Sequence, residues 1–251
     1  MNSKKVTNYI VNWINTYTID NDTSNIKSLV IGISGGIDSA LTSVLCAMTG
    51  IKTILVKIPL HSKDISLSRD HCLDLQKRFN NVDVYEISLS ETFEKFKETC
   101  LKNNHDNELG FANSKSRLRM LLLYQIAQSS SGIVVGTGNK VEDFGVGFYT
   151  KYGDGGVDIS PIADLMKSEI RILAKDLKVI NSIIKAKPTD GLWDDDRTDE
   201  DQLGLSYEQL EDAMINENSI YRKKYLEIRN KNMHKINPIP ICNITDKIKN
   251  S

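Results

Sequence analysis

Residues 28–49 read SLVIGISGGIDSALTSVLCAMT. The first six form a nearly unbroken β-branched and aliphatic run, the pattern of a strand covered on both faces. Ser34, Gly35 and Gly36 punctuate the run, and residues 39–49 take helical spacing. A buried strand that turns through glycines into a helix is the opening half of a βαβ unit. Further strand-like runs lie at 52–58 (KTILVKI), 83–87 (DVYEI) and 132–137 (GIVVGT), with helical patterns at 66–79 and 113–128. This alternation predicts an α/β fold, a doubly wound parallel sheet with helices on both faces, Rossmann-like. Ligands bind such sheets at the carboxyl ends of the strands. The two sharpest motifs stand there, after the first and fourth predicted strands.

The rest of the chain bounds the function. Its 251 residues fit one α/β domain, and a single domain over 1–251 is expected. The net charge of −1 argues against nucleic acid, which usually leaves a basic footprint on its partner. Cys46, Cys72, Cys100 and Cys242 are scattered and form no C-x-x-C pair, which fits free thiols in a reducing compartment. The N-terminus has helical spacing through Val6, Ile10, Trp13 and Tyr17 but no continuous apolar core of a signal peptide. No stretch approaches the 18 apolar residues of a membrane span. A cytoplasmic protein without membrane contact is the expectation.

After the first strand, Gly32-Ile33-Ser34-Gly35-Gly36-Ile37-Asp38-Ser39 leads into a helix. Glycines let backbone N–H groups turn inward around an anion, and the helix start adds partial positive charge. Ser34 and Ser39 add hydroxyl donors. Asp38 makes sense beside phosphates if it holds a bridging divalent cation. The same residues also suit a plain glycine turn with Asp38 and Ser39 capping the helix. The string is not a Walker A loop, because no Lys precedes Ser39.

The second string is Gly136-Thr137-Gly138-Asn139-Lys140-Val141-Glu142. Thr137 could donate to a phosphate oxygen. Glu142, a turn into the next helix, could stand near Asp38 and complete a Mg²⁺ site; it also suits an ordinary first-turn acid. The third string, residues 147–161, reads GFYTKYGDGGVDISP, a loop suited to wrapping a nucleotide. The fourth begins at Lys187 and reads KPTDGLWDDDRTDEDQLGLSYEQLE. Its stretch 188–203 reads as a mobile acidic loop, since like charges oppose compaction. Helical patterns resume at 206–215 and 219–231.

SGGIDS resembles the pyrophosphate loop of the ATP pyrophosphatase superfamily, which implies ATP cleavage between the α- and β-phosphates and adenylation of a substrate oxygen. TKYGDGG, the LW…TDEDQLG stretch, NSKSRLRM at 113–120 and the late His234-Lys235 resemble the NAD synthetases. The resemblance runs from about residue 31 to residue 240.

It implies ATP contacts at residues 32–39, Thr137, Lys167 and Thr189, and magnesium ligands at Asp38 and Glu142. It further implies deamido-NAD contacts at Arg117, Lys151, Asp158, His234 and Lys235, with Asp154 near the reacting centre. Asp38, Glu142, Lys167 and Asp154 would form the catalytic set. Lys57 stands where relatives often carry an Arg facing ATP, and Lys cannot make the same bidentate contact.

The reaction so implied has two steps. The nicotinate carboxylate of deamido-NAD attacks the α-phosphate of ATP, giving an acyl adenylate and pyrophosphate; ammonia then displaces AMP. The ATP loop begins within about thirty residues of Met1, leaving no room for a glutamine-hydrolysing domain. The resemblance therefore implies free ammonia as the nitrogen source and a homodimer. GMP and asparagine synthetases share the superfamily but lack TKYGDGG. A tRNA-modifying enzyme would call for a basic groove, and a non-catalytic nucleotide sensor for loss of Asp38 or Glu142.

Overall fold

The computed structural model describes residues 1–20, 26–60, 65–189, 191–193, 195 and 197–249. Along the chain run helix α1 (Ser3–Asp20), strand β1 (Ser28–Gly32), α2 (Ile37–Met48), β2 (Lys52–Lys57), α3 (Ser66–Arg78) and β3 (Val82–Glu86). There follow α4 (Ser90–Lys102), α5 (Glu108–Ser129), β4 (Gly132–Val134) and a π-helical turn (Lys140–Val146). The chain continues through α6 (Lys167–Asp176), α7 (Asn181–Lys185), α8 (Asp199–Leu203), α9 (Tyr207–Ile215), α10 (Arg222–Ile236) and α11 (Asp246–Lys249).

The four strands are parallel and ordered β3-β2-β1-β4. All four expected strands are present, and the expected helices start and stop within a few residues of their patterns. Side-chain alternation sorts β1 and β2 between two cores. Leu29, Ile31 and Leu55 face α1, α2, α3, α6 and α7, while Val30, Ile54 and Val56 face α5. Burying each such side chain contributes about 1.5–3 kcal/mol. A third core joins the π-helical turn to α8, α9 and α10 through Val141, Val146, Leu203, Tyr207, Leu210 and Tyr225. This third core roofs the end of the sheet where the motifs stand.

The chain reverses its direction of travel across the sheet between β1 and β4. That switch point leaves a crevice beyond the strand ends. Both motif strings leave the sheet there.

Two of the expected elements take a different form. Glu142 stands on a π-helical turn, not an α-helix, and that turn ends at Gly147 in the left-handed region, with φ 67°. The acidic stretch 188–203 is not loop throughout. Its last residues form α8, because Thr198 accepts from Asp201 N while the Asp201 carboxylate accepts from Thr198 N, a reciprocal cap. Positions 190, 194 and 196 of that stretch lie outside the described residues. Among the described residues all four cysteines are free, and no helix is long and apolar enough to cross a membrane.

Candidate active site

The loop from Gly32 to Ser39 delivers α2 with an open N-terminus. Its N-cap is Gly36, extended at φ −81°, ψ 159°, and no side chain caps the helix. Asp38 and Ser39 therefore do not cap it. Ser39 Oγ donates to Gly36 O at 3.0 Å and meets Ser34 Oγ at 3.1 Å, while Gly36 N donates to Ser34 Oγ. These bonds fix the turn and leave the first-turn amides pointing out of the helix without intrahelical partners. Gly35 has φ +90°, which a side chain would strain. Such an end attracts anions.

Asp38 and Glu142, 104 positions apart in the chain, converge on one cation. Lys167 Nζ donates to Asp38 Oδ2 at 2.6 Å and to Glu142 Oε1 at 2.9 Å. Lys167 is the first residue of α6, and the Tyr207 ring lies beneath its ammonium at 4.7 Å. Asn139, fully buried, holds the arrangement from the other side. Its Oδ1 accepts from Val141 N and Glu142 N at 3.0 Å each, and its Nδ2 donates to Asp38 Oδ1 at 3.4 Å. Tyr207 donates to Glu142 Oε1 at 2.5 Å and stands 3.2 Å from Asp199 Oδ2.

The charges follow from these contacts. Burial pushes the Asp38 carboxyl above its ordinary range, against the pull of Lys167. Burial acts on Glu142 too, but Lys167 and the Tyr207 hydroxyl outweigh it and hold that carboxyl below its usual range. Burial works against the Lys167 ammonium, and the two carboxylates more than offset it. Asp143 lies against Gly138, leaving no space there for a Cβ, and burial raises it, reinforced by Glu142 and Asp154.

A second group lies along α5, the 147–161 loop and the end of α10. Arg117 Nε donates to Lys151 O at 3.1 Å, Lys151 Nζ to His234 O at 3.0 Å, and Lys235 Nζ to Tyr149 O at 2.9 Å. Three expected substrate cations thus strap the loop to both helices through backbone carbonyls. Asp154 Oδ1 accepts from Ser116 Oγ at 2.6 Å and Thr150 N at 3.0 Å, pinning the TKYGDGG turn.

Four residues singled out in the sequence stand apart from these groups. Asp158 accepts from Val134 N at 2.7 Å and Tyr124 Oη at 3.1 Å, so its carboxylate completes the β4 edge. Thr137 follows β4 at the crevice. Thr189 is exposed; its neighbour Pro188 accepts from Asp199 N at 3.1 Å, which ties it to the Tyr207–Glu142 side. Lys57 turns sideways, with Nζ 2.9 Å from Glu86 Oε2, and Arg69 grips the same carboxylate.

Sequence reasoning did not assign Tyr207, Asp199 or Asn139. Asn139 carried a signal, since Asn before a helical segment favours an N-cap. Tyr207 carried none, because its phenol reaches Glu142 only through the third core.

The NAD synthase family model matches residues 6–250. Over 220 residues the chain is 39% identical to the NH(3)-dependent NAD(+) synthetase of Mesoplasma florum, covering 86% of each chain. It is 36% identical over 230 residues to the enzyme of that name from Finegoldia magna, covering 90% of each. Among solved structures, NMN synthetase from Francisella tularensis superposes with a TM-score of 0.85 at 31% identity, over 97% of this chain and 100% of that one. The pattern of motif, geometry and relatives agrees: the chain belongs to the NAD synthase family.

Proposed function

We propose that the protein is a ligase that uses ATP to amidate deamido-NAD with ammonia, giving NAD, AMP and pyrophosphate. The observation that carries this reading is the convergence of Asp38 and Glu142 beside the uncapped start of α2. A carboxylate is a poor electrophile and must first receive a leaving group. The first-turn amides of α2 and the hydroxyls of Ser34 and Ser39 would bind the phosphates and stabilise the departing pyrophosphate. Thr137 and Thr189 would add polar contacts to ATP. Arg117, Lys151, Asp158, His234 and Lys235 would contact and orient the dinucleotide, with Asp154 fixing the loop beside the reacting carboxyl. Orientation of this kind can contribute roughly 7–11 kcal/mol in favourable cases.

The carboxylate pair fits magnesium. The two groups present hard oxygens to a shared cation, here the Lys167 ammonium, and each keeps some exposure, 17% and 16%. Among the described residues no three acidic, His or Cys side chains form a closed metal cluster. Mg²⁺ suits an open pair, since it keeps waters and phosphate oxygens among its ligands. Asp38 and Glu142 would hold it, and it would supply charge neutralisation on the phosphates. A homodimer working in the cytoplasm completes the reading.

Detection of NAD by mass spectrometry, from deamido-NAD, MgATP and ammonium, tests the function. Equal yield from glutamine, or no NAD at all, would count against it. A second substrate has one observation in its favour, the fit to the Francisella NMN synthetase. The same chemistry would amidate the mononucleotide that carries a nicotinate carboxylate. Competing the two acids in one reaction decides between them.

A further inference from the structure

The lysine expected on the phosphates is not at the cleft surface. Lys167 keeps 3% side-chain exposure, less than either carboxylate it binds, and its ammonium lies over the Tyr207 ring. It occupies the point where Asp38 and Glu142 converge.

We propose that Lys167 holds the place of the divalent cation in the ligand-free enzyme and leaves it when the cation arrives. This rests on the magnesium reading of Asp38 and Glu142. Two carboxylates held side by side, largely out of water, repel one another and need a counter-charge. Lysine can supply it reversibly, being a compact charge on a flexible four-carbon stem. A divalent cation held by Asp38 and Glu142 would compete with the ammonium for the same carboxylates, and like charges brought close repel strongly. The displaced ammonium has a second anion within reach. Asp38 stands on the first turn of α2, the end that attracts the triphosphate. Lys167 begins α6, so its backbone stays in place while the side chain turns from carboxylate to phosphate.

The exchange couples the two ligands. Metal alone binds weakly, because it must strip the carboxylates of their lysine. With a triphosphate present, the lysine finds a new partner, so each ligand strengthens the other.

The experiment follows Mn²⁺ by electron paramagnetic resonance in nucleotide-free protein, together with mass-spectrometric mapping of reductive lysine methylation. Lys167→Met should bind Mn²⁺ at least tenfold more tightly than wild type, and adding Asp38→Asn to it should abolish that gain. In wild type, Lys167 should resist methylation without ligand and become reactive with Mg²⁺ alone. Equal or weaker Mn²⁺ binding by Lys167→Met overturns the proposal. Tighter binding with Lys167 still protected under saturating Mg²⁺ also overturns it, since the lysine then stays and only shapes the field. Tight binding unaffected by Asp38→Asn places the metal elsewhere and defeats the magnesium reading itself. The wild-type methylation result stands even if the variant folds poorly.

Discussion

Tyr207 joins Glu142 to Asp199, its hydroxyl oxygen 2.5 Å from one carboxylate and 3.2 Å from the other. A phenol has one proton, and the shorter contact takes it. Burial and the flanking carboxylates hold that proton far above the ordinary tyrosine range, so the group stays a donor. Through it, the acidic segment ending in α8 touches the proposed metal ligands. Tyr207→Phe keeps the ring under Lys167 and removes only the donor. The expected result is about a tenfold fall in kcat with a higher Mg²⁺ requirement, and a stability loss of about 1.5–3 kcal/mol. Magnesium titration of turnover and urea unfolding measure both. An unchanged Mg²⁺ requirement would show that Tyr207 is structural alone.

Asp38→Asn and Glu142→Gln should each lower turnover by about 10²–10³-fold, the scale of losing one preorganised charge contact at a transition state. The fold should survive. Lys167 has two carboxylate partners, and neutralising one leaves a matched pair, not an orphan charge. Steady-state kinetics with a thermal melt decides. Wild-type turnover in either variant removes the metal assignment.

The sheet was legible because β1 and β2 are covered on both faces and carry apolar side chains in both directions. The phosphate loop was legible because glycine turns and an open helix start leave local marks. Helix α4 was missed, since Phe93 is its one buried side chain and its pattern is faint. The π-helical turn was unreadable: Val141 and Val146 pack in the third core with residues of α9 and α10, contacts that local sequence does not encode. The bond from Val134 N to the Asp158 carboxylate was also unreadable, because it joins two segments by a pairing that local sequence does not encode.

Arg117→Ala and Lys151→Ala should raise the apparent constant for deamido-NAD about tenfold or more and leave that for ATP within about twofold. Both side chains bond within the second group, Arg117 to Lys151 O and Lys151 to His234 O. Their cationic heads suit pyrophosphate and carboxylate. Separate titrations of the two substrates measure this. A larger effect on ATP would mean that the two groups of residues have been exchanged.

His71 predicts an acid-sensitive fold. It is fully buried, its Nε2 lies 2.8 Å from Ser43 Oγ, and its Nδ1 has no hydrogen-bond partner. Burial lowers its pKa to about 4, with Asp74 opposing and Arg78 assisting. The unfolded chain, at about 6.5, then binds more protons between pH 6.5 and 4. The stability from neutral His71 is therefore complete above pH 6.5 and is lost as pH falls toward 4, on the order of 3 kcal/mol. His71→Gln should flatten this part of the urea-midpoint profile. An unchanged slope would assign the acid sensitivity to other groups.

The last prediction concerns the acidic stretch. Helix α8 is barely one turn, and of its five residues only Asp199 and Leu203 are buried. Nearby, Trp193 Nε1 donates to Gln202 Oε1 at 3.0 Å, and Lys115 Nζ donates to Leu192 O at 2.9 Å. The helical unit is short, and small units open at low cost. Yet Asp199 reaches Glu142 through Tyr207, and Thr189 precedes it as an expected ATP contact. A short segment that touches the site should gain order when nucleotides bind and help keep water from the acyl adenylate. Hydrogen exchange of the amides at 198–203 should be fast in the free enzyme and slow at least tenfold with ATP, Mg²⁺ and deamido-NAD together. Proteolytic nicking near this segment should fall in parallel. Full protection in the free enzyme, unchanged by ligands, would make the stretch a static part of the roof and leave the exclusion of water to the 147–161 loop.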